Sequence, residues 1–119
     1  MCYNGVMAKE TTQRVVLVYE TDNGQRPFWD WFEGIKDRKI RLRISRYIDR
    51  FESGNLGDHK SVGEGVMEMR LFFGSGYRIY FAEYGNEVVV LLCAGDKSTQ
   101  SKDIETAKLY WKNYKERNA

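Results

Sequence analysis

The chain has 119 residues, of which 42% are hydrophobic, 14% aromatic and 30% charged; 19 Lys and Arg against 17 Asp and Glu leave a net charge of +2. That length predicts a single domain spanning 1–119, and the apolar content excludes a disordered chain. No run of about 18 apolar residues exists, which excludes a membrane-spanning helix.

Residues 1–12 carry little pattern and are expected to form a poorly ordered tail. They lack the apolar stretch of a secretory signal, so a cytoplasmic protein is expected. Arg14–Glu20 (RVVLVYE) is rich in β-branched residues and predicts a strand. Thr21–Arg26 is a polar loop, and Pro27 suits the first turn of a helix. Phe28, Trp31, Phe32 and Ile35 follow at helical spacing, with a break expected between Gly34 and Arg38. A second helix is expected over Arg38–Glu52, where Ile40, Ile44, Tyr47, Ile48 and Phe51 make an apolar stripe. The glycine-bearing stretch Leu56–Gly65 reads as a loop.

Three strands are predicted next. Val66–Phe73 places Met67, Met69 and Leu71 on one face and Glu68 and Arg70 on the other. Gly74-Ser75-Gly76 is a hairpin turn, and Tyr77–Glu83 forms the returning strand. Glu87–Cys93 is nearly all apolar, as a central strand should be. Ser98 or Thr99 can cap a last helix, with Ile104, Ala107, Trp111 and Tyr114 on its apolar face. The order β-α-α-β-β-β-α predicts an α+β fold with helices on one face of a mostly antiparallel sheet.

Three features can carry chemistry. Lys36–Arg50 holds seven Lys and Arg against two Asp, so a segment of net +5 lies in a chain of total +2. Lys39, Arg43, Arg46 and Arg50 recur on one stripe beside the apolar one. This is either a solvated helix back or a surface facing a polyanion or an acidic partner; the uniform sign favours the second. Arg70 and Arg78 flank the Gly-Ser-Gly turn on the face opposite Met69. They suit either an anion held between them or a network with Glu68. Gly95-Asp96-Lys97-Ser98-Thr99 leaves the last strand and enters a helix. It is either a capped turn or a phosphate-holding turn that includes Lys97, without P-loop spacing. His59 is the sole histidine, so no metal or cofactor is expected; His59-Lys60 reads as a solvated pair or a phosphate-approaching one. Cys93 reads as a buried thiol, Cys2 as part of the tail, and Trp29, Trp31 and Trp111 as helix packing.

The segments VMEMRLFFGSGYRIYF, VVVLLCAGDKSTQ and DIETAKLYW together resemble the RelE/ParE toxin superfamily. PFWDWFEGI fits its HigB-like, phage-derived "addiction module killer" branch. The resemblance covers about residues 14–115. It implies a RelE-like fold and the toxin of a type II toxin–antitoxin pair, either a ribosome-dependent, metal-independent mRNA endoribonuclease or a non-enzymatic ParE-like inhibitor of DNA gyrase. By resemblance, Arg78 matches the arginine that the nucleases use on the scissile phosphate, Arg70 falls near a basic position, and Lys97 matches a basic position after the last strand. Two positions depart: Asp103 stands near a tyrosine of some members, and Glu68 stands where a hairpin lysine occurs. For the general base, Asp103, Glu68, Tyr80 and ribosomal RNA all remain open. The implied partners are a helix-turn-helix antitoxin, the ribosome and mRNA, with operator DNA reached only through the antitoxin complex. Lys39, Arg43, Arg46, Arg50 and Lys60 are the residues expected to bind RNA, ribosome or antitoxin.

Overall fold

The computed structural model describes residues 14–86 and 88–119. The expected tail with Cys2, and Glu87 at the start of the third predicted hairpin-region strand, lie outside the described residues.

β1 (Val15–Val18) forms from a β-branched run. α1 (Pro27–Glu33) begins with the proline in its first turn, where the missing N–H costs nothing, and stops at Gly34. α2 (Arg38–Glu52) is opened by Asp37, whose carboxylate accepts from the Lys39 N–H at 2.9 Å. Then come β2 (His59–Gly63), β3 (Val66–Arg70), β4 (Arg78–Tyr84) and β5 (Val88–Gly95). A single 3-10 turn (Lys97–Thr99) leads into α3 (Gln100–Arg117). The fold is α+β, and its five-stranded sheet has the order β1-β5-β4-β3-β2.

The sheet differs from the expectation in three ways. β2 is a strand where a loop was expected. Its residues have little strand propensity, but the two-residue turn Glu64-Gly65, both at positive φ, folds it back onto β3. β1 pairs with β5 in parallel, so one parallel pair joins an otherwise antiparallel sheet. The α1–α2 connection returns the chain to the far edge, which leaves β1 beside the last strand rather than the next one.

The third difference concerns the helices, which cover both faces rather than one. On one face, Phe28 of α1 and Ile44 and Phe51 of α2 pack on Met69, Leu71, Ile79, Phe81, Val89 and Leu91. The Phe51 and Phe81 ring centres are 4.9 Å apart. On the other face, Ala107 and Trp111 of α3 pack on Val66, Tyr80, Ala82, Val90 and Leu92. The second face is therefore core as well: the strands alternate between two covered sides, which is why β5 reads as a continuous apolar run. Of the tryptophans, Trp111 is buried and Trp31 half-buried, but Trp29 is exposed and stacks on Phe32. Among the described residues no helix is long and apolar enough to cross a membrane.

Candidate functional site

The α3 face is apolar near its middle and polar at the end where β3 and β4 turn. Arg70 and Arg78 sit directly opposite each other across that antiparallel pair, and Arg78 is in turn opposite Gly95 on β5. Because α3 covers part of this face, Arg78 is largely covered, whereas Arg70 stays exposed at the edge. The Arg78 side chain is 13% exposed and that of Arg70 42%. Like charges in this register repel unless something negative lies near them.

Glu68 supplies part of that charge. It is 0% exposed and lies two cross-strand pairs away, the next pair on the same face, opposite Tyr80. Its Oε2 accepts from the Tyr80 hydroxyl at 3.0 Å and from the Gln100 amide at 2.9 Å. Arg78 Nε stands 3.7 Å from the same oxygen, and Lys60 Nζ stands 3.9 Å from Oε1. These cations are near enough for charge attraction but beyond good hydrogen-bond reach. Arg78 Nε and Glu68 Oε1 consequently have no hydrogen-bond partner among the described residues although both atoms are buried. Arg78 spends one donor on the Gly76 carbonyl at 3.1 Å. Its Nε faces Glu68 in the interior, while the side chain also lines the hairpin cleft. Arg70 makes an exposed pair with Asp58 at 3.7 Å, which is weak in water.

Lys97 is brought to the same place. It is exposed on the 3-10 turn, and its Cβ would lie 3.5 Å from a methyl placed on Gly76. Thr99 is the N-cap residue of α3, as expected, though its side chain makes no capping bond there; the preceding 3-10 turn is capped by Asp96. Asp96 accepts from the Ser98 N–H and hydroxyl, and these bonds hold its carboxyl below the ordinary range. This is the capped-turn reading of the segment, and it leaves the lysine free to point at the hairpin.

Asp103, in the first turn of α3, closes the far side. Its carboxylate accepts from Thr99 Oγ1 at 2.5 Å. It also lies so close to the Gly95 Cα that a β-carbon there would stand 2.0 Å from Asp103 Oδ2. Gly95 is thus required by Asp103, and the carboxylate hangs over the β5 position paired with Arg78. Desolvation raises the Asp103 pKa, an effect only partly offset by the Thr99 hydrogen bond. Burial together with Glu68 raises the Tyr80 hydroxyl far above its ordinary value, and Tyr80 is 0% exposed. Burial also pushes the Cys93 thiol up to about 12. Of the three side chains left open as a general base, Glu68 and Tyr80 are sealed in the interior, and Asp103 alone retains some access to solvent.

Beside the arginine pair the hairpin encloses a cleft of about 320 Å³, lined by Arg70, Phe72, Phe73, Gly76, Tyr77 and Arg78 among others. Lys39, Arg43, Arg46 and Arg50 are all exposed on α2, on the opposite side of the sheet. Only Arg43 reaches a cleft residue: its guanidinium lies 4.0 Å above the Phe73 ring. Arg50 lies over Tyr47 of its own helix. The structure therefore gathers Arg70, Arg78 and Lys97, with Lys60 close behind, and leaves Lys39, Arg46 and Arg50 as a separate surface. Gln100 went unnoticed in the sequence because its only signal is its distance from Glu68, a long-range fact.

No family model matches the chain. An uncharacterized protein of Haemophilus influenzae is 45% identical to it over 82 residues, covering 69% of this chain and 83% of that protein. The chain belongs to that protein's family. The family thus has a member in Haemophilus influenzae whose length is mostly spanned by the domain described above, and the name of that member assigns no activity.

Proposed function

We propose that this protein is a toxin of the RelE/ParE superfamily, one half of a type II toxin–antitoxin pair, and that it cuts mRNA on the ribosome without a metal ion. The observation that carries the reading is the opposed Arg70–Arg78 pair, both residues lining an open cleft. A phosphodiester fits this arrangement: it neutralises two cations that otherwise repel, and its oxygens are acceptors for guanidinium groups at the cleft.

The chemistry follows from the groups gathered there. A ribose 2′-hydroxyl attacks the adjacent phosphorus and gives its proton to the Asp103 carboxylate. Arg70 and Arg78 stabilise the charge that builds on the phosphoryl oxygens. The departing 5′-oxygen takes a proton from Lys97, since arginine does not give one up. The products are a 2′,3′-cyclic phosphate and a 5′-hydroxyl end. Glu68 acts from behind, fixing Arg78 by charge and holding Tyr80 and Gln100 in place.

The exposed stripe of Lys39, Arg43, Arg46 and Arg50 has the charge to dock on ribosomal RNA. The same stripe suits acidic residues of a helix-turn-helix antitoxin, which would then mask the toxin; operator DNA is reached only through that complex. A non-enzymatic gyrase inhibitor is the second reading, favoured by one observation. Glu68 stands, fully buried, where the resembling nucleases carry a lysine. Inducing the protein in cells without its antitoxin separates the two. Mapping new mRNA 5′-hydroxyl ends within translated reading frames supports the nuclease, whereas gyrase–DNA adducts without mRNA cuts contradict it.

A further inference from the structure

Phe72 is 74% exposed, the largest exposure among the exposed large hydrophobic side chains of the described residues. It lines the same cleft as Arg70 and Arg78. The Arg70 guanidinium lies 5.7 Å from its ring centre, which holds the ring beside the cation. The other two cleft aromatics are already engaged. Phe73 lies under Arg43 and against Tyr47 and Tyr77, and Tyr77 meets Trp31 edge-on at 5.7 Å. Phe72 alone among them presents a large open surface. An exposed phenylalanine gains nothing from water, so a flat apolar partner is the fitting occupant.

The charges around the ring identify that partner. Arg70 and Arg78 line the cleft, Lys97 lies next to its Gly76, and Arg43 lies one ring away over Phe73. A planar apolar group attached to a chain of negative charges is a nucleobase on its phosphate backbone. The base must be unpaired, because a duplex keeps its base faces stacked inside. We propose that Phe72 is a stacking platform for an unpaired RNA base, adjacent to the phosphate held between Arg70 and Arg78. This rests on the nuclease reading and adds to it the means by which the strand is kept single and in register at the cleft. Phe72 is a positioning residue: it takes no part in the bond changes.

The test is binding of a short fluorescein-labelled single-stranded RNA to the full chain at low salt, followed by fluorescence anisotropy. Phe72 is exposed enough for its variants to fold, which a melting curve verifies. Phe72→Ala is expected to weaken binding about tenfold, and Phe72→Leu to behave the same, since it restores apolar area without a flat face. Phe72→Trp is expected to keep or improve wild-type affinity. The salt dependence should be unchanged in Phe72→Ala but shallower in Arg70→Ala, because only the second loses a phosphate contact. Wild-type affinity in Phe72→Ala, with binding weakened in Arg78→Ala, overturns the stacking role and leaves the nuclease reading standing. Failure of the wild-type chain to bind the RNA overturns the stacking role, whereas the nuclease reading, which requires the ribosome, is overturned by absence of mRNA cleavage on translating ribosomes. Tighter binding of a glutamate-rich peptide than of the RNA, with Phe72→Ala weakening both, overturns the proposal in favour of a protein partner.

Discussion

The two faces of the sheet are built on different terms. The face under α1 and α2 is apolar through its centre, with Phe28, Ile44, Phe51, Ile79 and Phe81 each at 1% exposure or less, and carries an Arg14–Glu83 ion pair at its edge, where Arg14 Nε is also buried without a hydrogen-bond partner. The face under α3 starts the same way, at Trp111, Ala107 and Val90, but ends in Glu68, Tyr80, Gln100, Arg78 and Asp103. One face holds the fold together. The other gives up part of its apolar area to carry a buried carboxylate, a half-covered guanidinium and a carboxyl with a raised pKa. Burying such groups costs stability unless each is paired, and here two atoms are not. Proteins that keep an incompletely satisfied polar cluster beside an open cleft usually use it on a ligand.

The contrast can be broken by mutation. Phe81→Ala empties the centre of the apolar face and should cost about 4 kcal/mol in denaturant unfolding, with little dependence on pH. Glu68→Ala leaves Tyr80 and Gln100 without their acceptor and Arg78 without its nearest charge. It should cost about 3 kcal/mol, whereas Glu68→Gln, which keeps an acceptor, should cost about 1 kcal/mol and still reduce RNA cleavage by loosening Arg78. Equal losses from both Glu68 variants would show that the charge, not the hydrogen bonds, holds the cluster.

The pH dependence sharpens the same contrast. The Asp103 carboxyl binds its proton more tightly in the folded state than in the unfolded one. Its contribution therefore favours folding in acid and is lost as the pH rises from the ordinary carboxylate pKa through the raised one. Asp103→Asn keeps an acceptor for Thr99 and removes this loss. The variant should thus gain stability relative to the wild type on going from acid to neutral pH, as melting curves at the two pH values would show. The smallest effect belongs to a turn remote from the cleft. Glu64 has φ 55°, in the two-residue hairpin that asparagine favours, so Glu64→Asn should stabilise by about 0.5 kcal/mol, net of a weak pair with Lys108 at 3.5 Å.

Much of this was legible in the sequence where the signal is local. The stripe Ile40–Phe51, the Gly-Ser-Gly hairpin and the alternation of Glu68 and Arg70 against Met67, Met69 and Leu71 gave the elements and the faces. β2 is not legible because His59–Gly63 has little strand propensity of its own, and a tight glycine turn and a partner strand impose its conformation. The second covered face is hidden in the sequence because Glu68 and Arg78 look like a surface, and only α3 overhead encloses them. Arg70, Arg78 and Lys97 could be named from their motifs. The Gly95–Asp103 contact and the Glu68–Gln100 bond join residues distant in the chain or on different elements, and periodicity does not encode them.

The central claim is that Arg78 acts on the scissile phosphate. The direct measurement is mRNA cleavage on purified translating ribosomes by the wild-type chain, Arg78→Ala and Arg78→Lys, with each variant's fold verified by its melting curve. Cleavage by the wild type, a loss of about a hundredfold or more in folded Arg78→Ala and partial recovery in Arg78→Lys are the predicted result. Unchanged cleavage by Arg78→Ala would contradict the claim.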